Sequence, residues 1–139
     1  MNKQLKRILL VDDSEATNAM NVYLFNRLNA AEQIDVAVNG AKAIDYLTAK
    51  DANGEYPRPE LIVLDLNMPV MNGLEFLEAY RELDEDIKGG VIIIMLTTSM
   101  LEADQRSARG FQSVVGYQSK PLTLDKAREM WSKCLGTRP

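Results

Sequence analysis

Asp12 and Asp13 directly follow the apolar run Ile8–Val11, and Asp65 directly follows the apolar run Leu61–Leu64. If these runs are neighbouring strands of a parallel sheet, the three carboxylates converge at one end of it. Two such charges about 4 Å apart repel by roughly 4 kcal/mol at an effective dielectric of 20. A cluster of this kind either raises a pKa or holds a cation. With no histidine or thiolate nearby, the donors suit a hard, hydrated ion, magnesium above all. Taken singly, each acid has a plainer reading: Asp12 or Asp13 caps a helix beginning at Ser14, and Asp65 opens a turn. Thr97, Thr98 and Ser99 follow a fourth apolar run, and Lys120-Pro121 follows a fifth. A hydroxyl and an ammonium at adjacent strand ends can grip the oxygens of an anion beside the cation. Singly, again, these are a helix start and a surface lysine. The weight lies in the combination, because acids, hydroxyl and lysine at four strand ends are the parts of one active site.

Composition narrows the chemistry. There is no histidine among the 139 residues, which excludes a Ser-His-Asp or Cys-His centre, a His-ligated zinc and a phosphohistidine carrier. The single cysteine, Cys134, excludes an internal disulfide and fits a reducing, cytoplasmic compartment. With 16 basic and 20 acidic residues the net charge is -4, which argues against nucleic acid as a partner. The basic start is followed by an apolar run too short for a signal peptide, and no stretch reaches the length of a membrane span, so no membrane partner is expected. The length corresponds to one domain over 1–139, with its core at about 6–136. The chain ends four residues after its last helical stripe, so a complete single module is expected.

The elements that must position these residues follow from periodicity. Ile8–Val11, Leu61–Leu64 and Val91–Leu96 are continuous apolar runs, as in strands buried on both faces. Ile34–Val38 is interrupted by Asp35, and Val114–Tyr117 is weaker. Between them lie helical patterns. In Ser14–Leu28 the stripe is Ala16, Met20, Tyr23, Leu24 and Leu28, with Ser14 as cap. In Ala41–Leu47 it is Ala43, Ile44 and Leu47, and in Gly73–Leu83 it is Leu74, Leu77 and Tyr80. In Thr123–Leu135 it is Leu124, Ala127, Trp131, Cys134 and Leu135, with Thr123 as cap. Leu101–Arg109 has only a thin stripe. The loop Lys50–Pro59 is marked by Asn53-Gly54 and by its two prolines. Strand and helix thus alternate five times, which predicts a doubly wound α/β parallel sheet with right-handed crossovers.

Leu10-Val-Asp-Asp-Ser14, Leu64-Asp-Leu-Asn-Met-Pro-Val-Met-Asn-Gly73, Met95-Leu-Thr-Thr-Ser99 and Ser119-Lys-Pro-Leu122 together closely resemble the receiver domain of two-component response regulators, over essentially the whole chain. The resemblance implies a flavodoxin-like (βα)5 fold with strand order 2-1-3-4-5. It implies that Asp65 is the phosphoacceptor in a cytoplasmic, bacterial phosphorelay. Magnesium would be held by Asp13, Asp65 and the backbone carbonyl of Asn67, with Asp12 acting through water. Lys120 would contact the phosphoryl group, Thr97 would be the switch hydroxyl, and Pro121 would follow a cis peptide bond. Tyr117 matches the family's switch aromatic and would move inward after phosphorylation; without the resemblance it is a strand residue half packed at the surface. Asn67 and Ser99 would overlook the path of a hydrolytic water. The implied donor is a sensor histidine kinase or a histidine phosphotransfer protein, and the signal would leave by the face of the fourth helix, fifth strand and fifth helix to another protein. The interval from Thr97 to Lys120 is one residue longer than usual for the family. Counting back from Lys120 points to Thr98; counting forward from Met95-Leu96 points to Thr97, adopted here because a strand end fixes geometry better than a loop. Asp51–Pro59 is an insertion. The alternatives are a receiver-like scaffold working without phosphorylation, and an aspartyl-nucleophile phosphatase of the haloacid-dehalogenase type. The phosphatase would need a second acid where Asn67 stands.

Overall fold

The computed structural model describes residues 4–99 and 101–136. The elements run β1 (Leu5–Val11), α1 (Glu15–Arg27), β2 (Ala31–Ala37), α2 (Gly40–Thr48), β3 (Leu61–Leu64), α3 (Gly73–Arg81), α4 (Glu85–Lys88), β4 (Ile92–Thr97), α5 (Glu102–Arg109), β5 (Val114–Ser119) and α6 (Leu124–Gly136). The strands form one parallel sheet in the order β2-β1-β3-β4-β5, the expected doubly wound topology. Successive residues of a strand face opposite sides, and both sides are covered. Leu9, Ile62 and Ile93 pack beneath α2, α3 and α5 with Phe76 and Leu77. Ile8, Leu61 and Ile92 pack beneath α1 and α6 with Phe25 and Met130. Each fully buried aliphatic or aromatic side chain contributes about 1.5–3 kcal/mol.

Three sequence expectations need correction. The alternation is broken by α4, a single turn with no buried residue, which no apolar period could announce. The α1 stripe is rotated: Met20 and Tyr23 are 56% and 53% exposed, and the buried face is Asn18, Asn21 and Phe25. Outside, Tyr23 has Arg27 over its ring, and Arg27 donates to its hydroxyl at 3.2 Å. On α6 the buried set includes Met130, while Trp131 is only partly buried. The caps are as expected: Ser14 accepts from the Thr17 N–H at 3.2 Å and Thr123 from that of Lys126 at 3.2 Å.

Two irregularities matter for the site. The β4–β5 register passes from Ile93↔Val114 to Ile94↔Gly116. Val115 therefore has no counterpart, and this bulge takes up one residue between Thr97 and Lys120. The insertion is closed by Asp51, whose carboxylate accepts from the N–H groups of Asn53 (2.8 Å) and Glu55 (3.0 Å). Arg58 then ties the insertion to α4 through the Asp86 carbonyl.

Candidate functional site

All five strands end on the same edge of the sheet, and the chemistry-bearing residues lie just beyond. At the end of β1, the Asp12 N–H donates to the Ala37 carbonyl (3.1 Å), and an Asp12 carboxylate oxygen accepts from the Ser14 N–H (2.9 Å). The Ser14 hydroxyl caps α1, and Asp13, just before it, is exposed at the rim. At the end of β3, the Asp65 N–H donates to the Val11 carbonyl (3.0 Å), so the two strand ends are locked side by side. Helix α3 then starts hard against Asp65. A Cβ on Gly73 would lie 2.5 Å from the Asp65 carbonyl oxygen, so only glycine fits there. The start is held by a reciprocal capping box between Asn72 and Glu75.

Asp12, Asp13 and Asp65 each bring a carboxylate oxygen within 4.8 Å of the others'. Asp12 and Asp65 are 4% and 5% exposed. Lys120 reaches both, with Nζ 2.5 Å from an Asp12 oxygen and 3.2 Å from an Asp65 oxygen. Its peptide bond to Pro121 is cis, and its N–H donates to the Thr97 carbonyl at 3.0 Å. Burial holds the Asp65 carboxyl above the ordinary range; the Lys120 charge and the Thr97 hydroxyl pull it down, while the Asp12 charge pushes it up. Burial alone would lower the Lys120 ammonium, but Asp12 and Asp65 outweigh it and keep it raised and charged. One ammonium, paired with Asp12 and Asp65, thus stands against three carboxylates and leaves a net negative pocket with hard oxygen donors, suited to a divalent cation.

Thr97 is fully buried, whereas Thr98 is exposed. Asn67 is exposed on the rim, two residues beyond Asp65. Tyr117 departs from the expected outward starting position. It is 9% exposed and its hydroxyl donates to the Ser99 carbonyl at 2.7 Å. Burial and the Asp104 charge raise its pKa, so it remains a donor. Ser99 is a junction. Its N–H donates to Thr97 Oγ1 (3.2 Å), its carbonyl accepts from Tyr117, and its hydroxyl donates to Asp104 on α5 (2.6 Å).

Four residues of this region went unnoticed in sequence. Asp104 carried no signal beyond a charge. Lys126 donates to the carbonyls of Ser119 (2.7 Å) and Pro121 (3.2 Å), clasping the turn that carries Lys120. Asn18 and Asn21 are each 4% exposed on the inner face of α1. Asn18 Nδ2 donates to the Asp12 carbonyl at 2.7 Å. Their signal was available: two amides at i and i+3, close after Asp12-Asp13.

Residues 8–131 match the family model for the response regulator receiver domain. The chain belongs to that family. The receiver is 30% identical over 130 residues to sporulation initiation phosphotransferase F of Bacillus subtilis (strain 168), covering 94% of each chain. It is 32% identical over 118 residues to two-component response regulator 24 of Arabidopsis thaliana, covering 85% of this chain and 76% of that one. Among solved structures, a two-component response regulator from Cytophaga hutchinsonii superposes with a TM-score of 0.84 at 29% identity, covering 96% of this chain and 99% of the other. The receiver therefore belongs to a two-component signalling family. No helix among its described residues is long and apolar enough to cross a membrane.

Proposed function

We propose that this receiver, a single unit over about 6–136, accepts a phosphoryl group on Asp65 from the phosphohistidine of a sensor histidine kinase or histidine phosphotransfer protein, and acts in the cytoplasm. The observation that carries the reading is the placement of Asp65: buried at a strand end, beside one ammonium and two further acids. A carboxylate oxygen of Asp65 attacks phosphorus as the donor's P–N bond breaks, and the imidazole leaves with the bonding pair. Attack requires the carboxylate form, and Lys120 favours it against the burial that opposes it. Lys120 is also placed to follow the charge onto the phosphoryl oxygens. The three acids fit magnesium, which Asp13, Asp65 and the Asn67 carbonyl would hold, with Asp12 acting through water. When bound, magnesium supplies positive charge against the phosphoryl oxygens during transfer.

Transmission starts at Thr97. A phosphoryl group on Asp65 offers the Thr97 hydroxyl a stronger acceptor, and any shift of Thr97 is felt at Ser99, hence at Tyr117 and Asp104. The signal leaves by the face of α5, β5 and α6 to a protein partner rather than to nucleic acid or membrane. Since Tyr117 is already inward, phosphorylation holds this arrangement rather than creating it. Asn67 and Ser99 are small and polar, so a water can reach the acyl phosphate, and self-dephosphorylation on a scale of minutes follows.

The test is incubation with acetyl phosphate and magnesium followed by intact-mass measurement. One phosphoryl addition in the wild type and none in Asp65→Asn is the expected result. An undiminished mass gain in Asp65→Asn overturns the assignment.

A further inference from the structure

Asn18 and Asn21 occupy the face of α1 that the fold elsewhere fills with apolar side chains. With Asp12, Asp65 and Asn21, Asn18 lines a cleft too tight for a free water, and with Asp13 it lines a second cleft that is open to solvent. The Asn18 Nδ2 group is committed to the Asp12 carbonyl at 2.7 Å. That bond fixes which side of the amide is the donor and leaves Oδ1 as an acceptor. Oδ1 is the one buried side-chain polar atom without a hydrogen-bond partner among the described residues, in a side chain 4% exposed. Buried acceptors in native proteins are nearly always satisfied, so an orphan beside a cluster of acids calls for a donor.

The donor has to be small, mobile and strongly polarised. Lys120 is already engaged by Asp12 and Asp65. A water carried by a divalent cation meets the requirement, because magnesium keeps several waters when bound to proteins and polarises them. We propose that Asn18 is an outer-shell positioning residue for the cation, its amide oxygen accepting a hydrogen bond from a cation-bound water while its NH2 group holds the Asp12 carbonyl. The inference rests on the cation reading of the three acids given above. A carboxamide suits the role better than a fourth acid, since it adds an acceptor without adding to the repulsion among Asp12, Asp13 and Asp65. Its benefit depends on how many waters the cation retains. Magnesium depends on it, whereas calcium, with more direct ligands and a looser geometry, depends on it much less.

The experiment is calorimetric titration of the metal-free full chain with magnesium chloride and, separately, calcium chloride, in wild type and Asn18→Leu. Circular dichroism and a melting curve confirm that each protein is folded. Loss of an outer-shell partner lowers metal affinity by about 10-fold or more. The expected result is that loss for magnesium and a distinctly smaller one for calcium. Unchanged magnesium affinity overturns the inference and leaves the cation site standing. An equal loss for both ions also overturns it, since general displacement of the acids then explains the effect. A wild type that binds no magnesium overturns the cation reading, and the inference falls with it. If Asn18→Leu does not fold, Asn18→Ala is judged by the same two affinities.

Discussion

Two carboxylate-bearing polar clusters of this receiver, one built on a single acid and one on three, sit on the same sheet and have opposite characters. On the edge strand β2, Asp35 stands alone among donors. Gln33 Nε2 lies 2.9 Å from each of its oxygens, the Tyr46 hydroxyl donates at 2.5 Å, and Arg7 lies 3.7 Å away. Burial and the bond to Asp35 push the Tyr46 phenol up to about 12, so it stays a donor at any ordinary pH. Past the ends of β1 and β3, three acids lie together and two of them, Asp12 and Asp65, share Lys120. The first has more donors than acid, so both Asp35 oxygens are already engaged. The second sets three carboxylates against one ammonium and two neutral donors, the Ser14 N–H and the Thr97 hydroxyl, and is open to a cation. The ratio of acids to donors, more than the presence of charge, separates a structural staple from a site.

The contrast can be broken by experiment. The largest effect belongs to Asp13→Ala, which removes the exposed acid proposed as a direct ligand. Magnesium affinity, read by calorimetry, should fall by well over the roughly 10-fold attached to an outer-shell partner. If Asp13→Ala binds magnesium normally, the acid cluster has been misread. Asp35→Ala should reverse the pattern. It strands Arg7 and Tyr46 and should lower unfolding free energy in urea by about 1–2 kcal/mol, at the modest end because the pair is partly exposed. Magnesium affinity should not move; if it does, the two clusters are coupled and the contrast fails.

A smaller effect concerns Asp65. Its folded carboxyl is raised mainly by burial, so its ionised form strains the fold at neutral pH, and protonation relieves that strain. Metal-free Asp65→Asn should therefore melt a few degrees higher than wild type near neutral pH. The advantage should shrink as pH falls through the raised carboxyl value and vanish where Asp65 is protonated in both states. An advantage that grows on acidification would show that the Lys120 ion pair outweighs burial. The smallest effect is on lifetime. Ser99→Leu should slow loss of the phosphoryl group after donor removal a few-fold by obstructing water. Ser99→Ala loses the Asp104 bond without adding bulk, and equal lifetimes in the two variants would remove water access as the cause.

Most of this architecture was legible because the central strands are buried on both faces and so read as unbroken apolar runs, with the chemistry placed directly after them. The same logic favoured Thr97 over Thr98, and in the fold Thr97 is buried, Thr98 is exposed, and the register shift falls at Val115 in β5. Reading failed where the usual relation of polarity to burial is inverted. Helix α1 shows solvent Met20 and Tyr23 and buries two amides, so its apolar stripe was right only at Leu24 and Leu28, which pack against the core. The α4 turn, Glu85–Lys88, buries nothing and left no periodic trace. Asp104 and Lys126 look like any surface charge until their partners, Ser99 and the Ser119–Pro121 turn, are placed in space.

The junction at Ser99 also bears on how this receiver can drift and diversify. Of its three connections, those to Thr97 and Tyr117 leave from the backbone and only the one to Asp104 leaves from the side chain. Substitution by almost any residue therefore removes the side-chain bond to α5 while the backbone bonds to Thr97 and Tyr117 stay in place. On the proposed route from Thr97 to Tyr117, the identity of residue 99 can thus vary, and with it the tie to α5, without breaking the route itself.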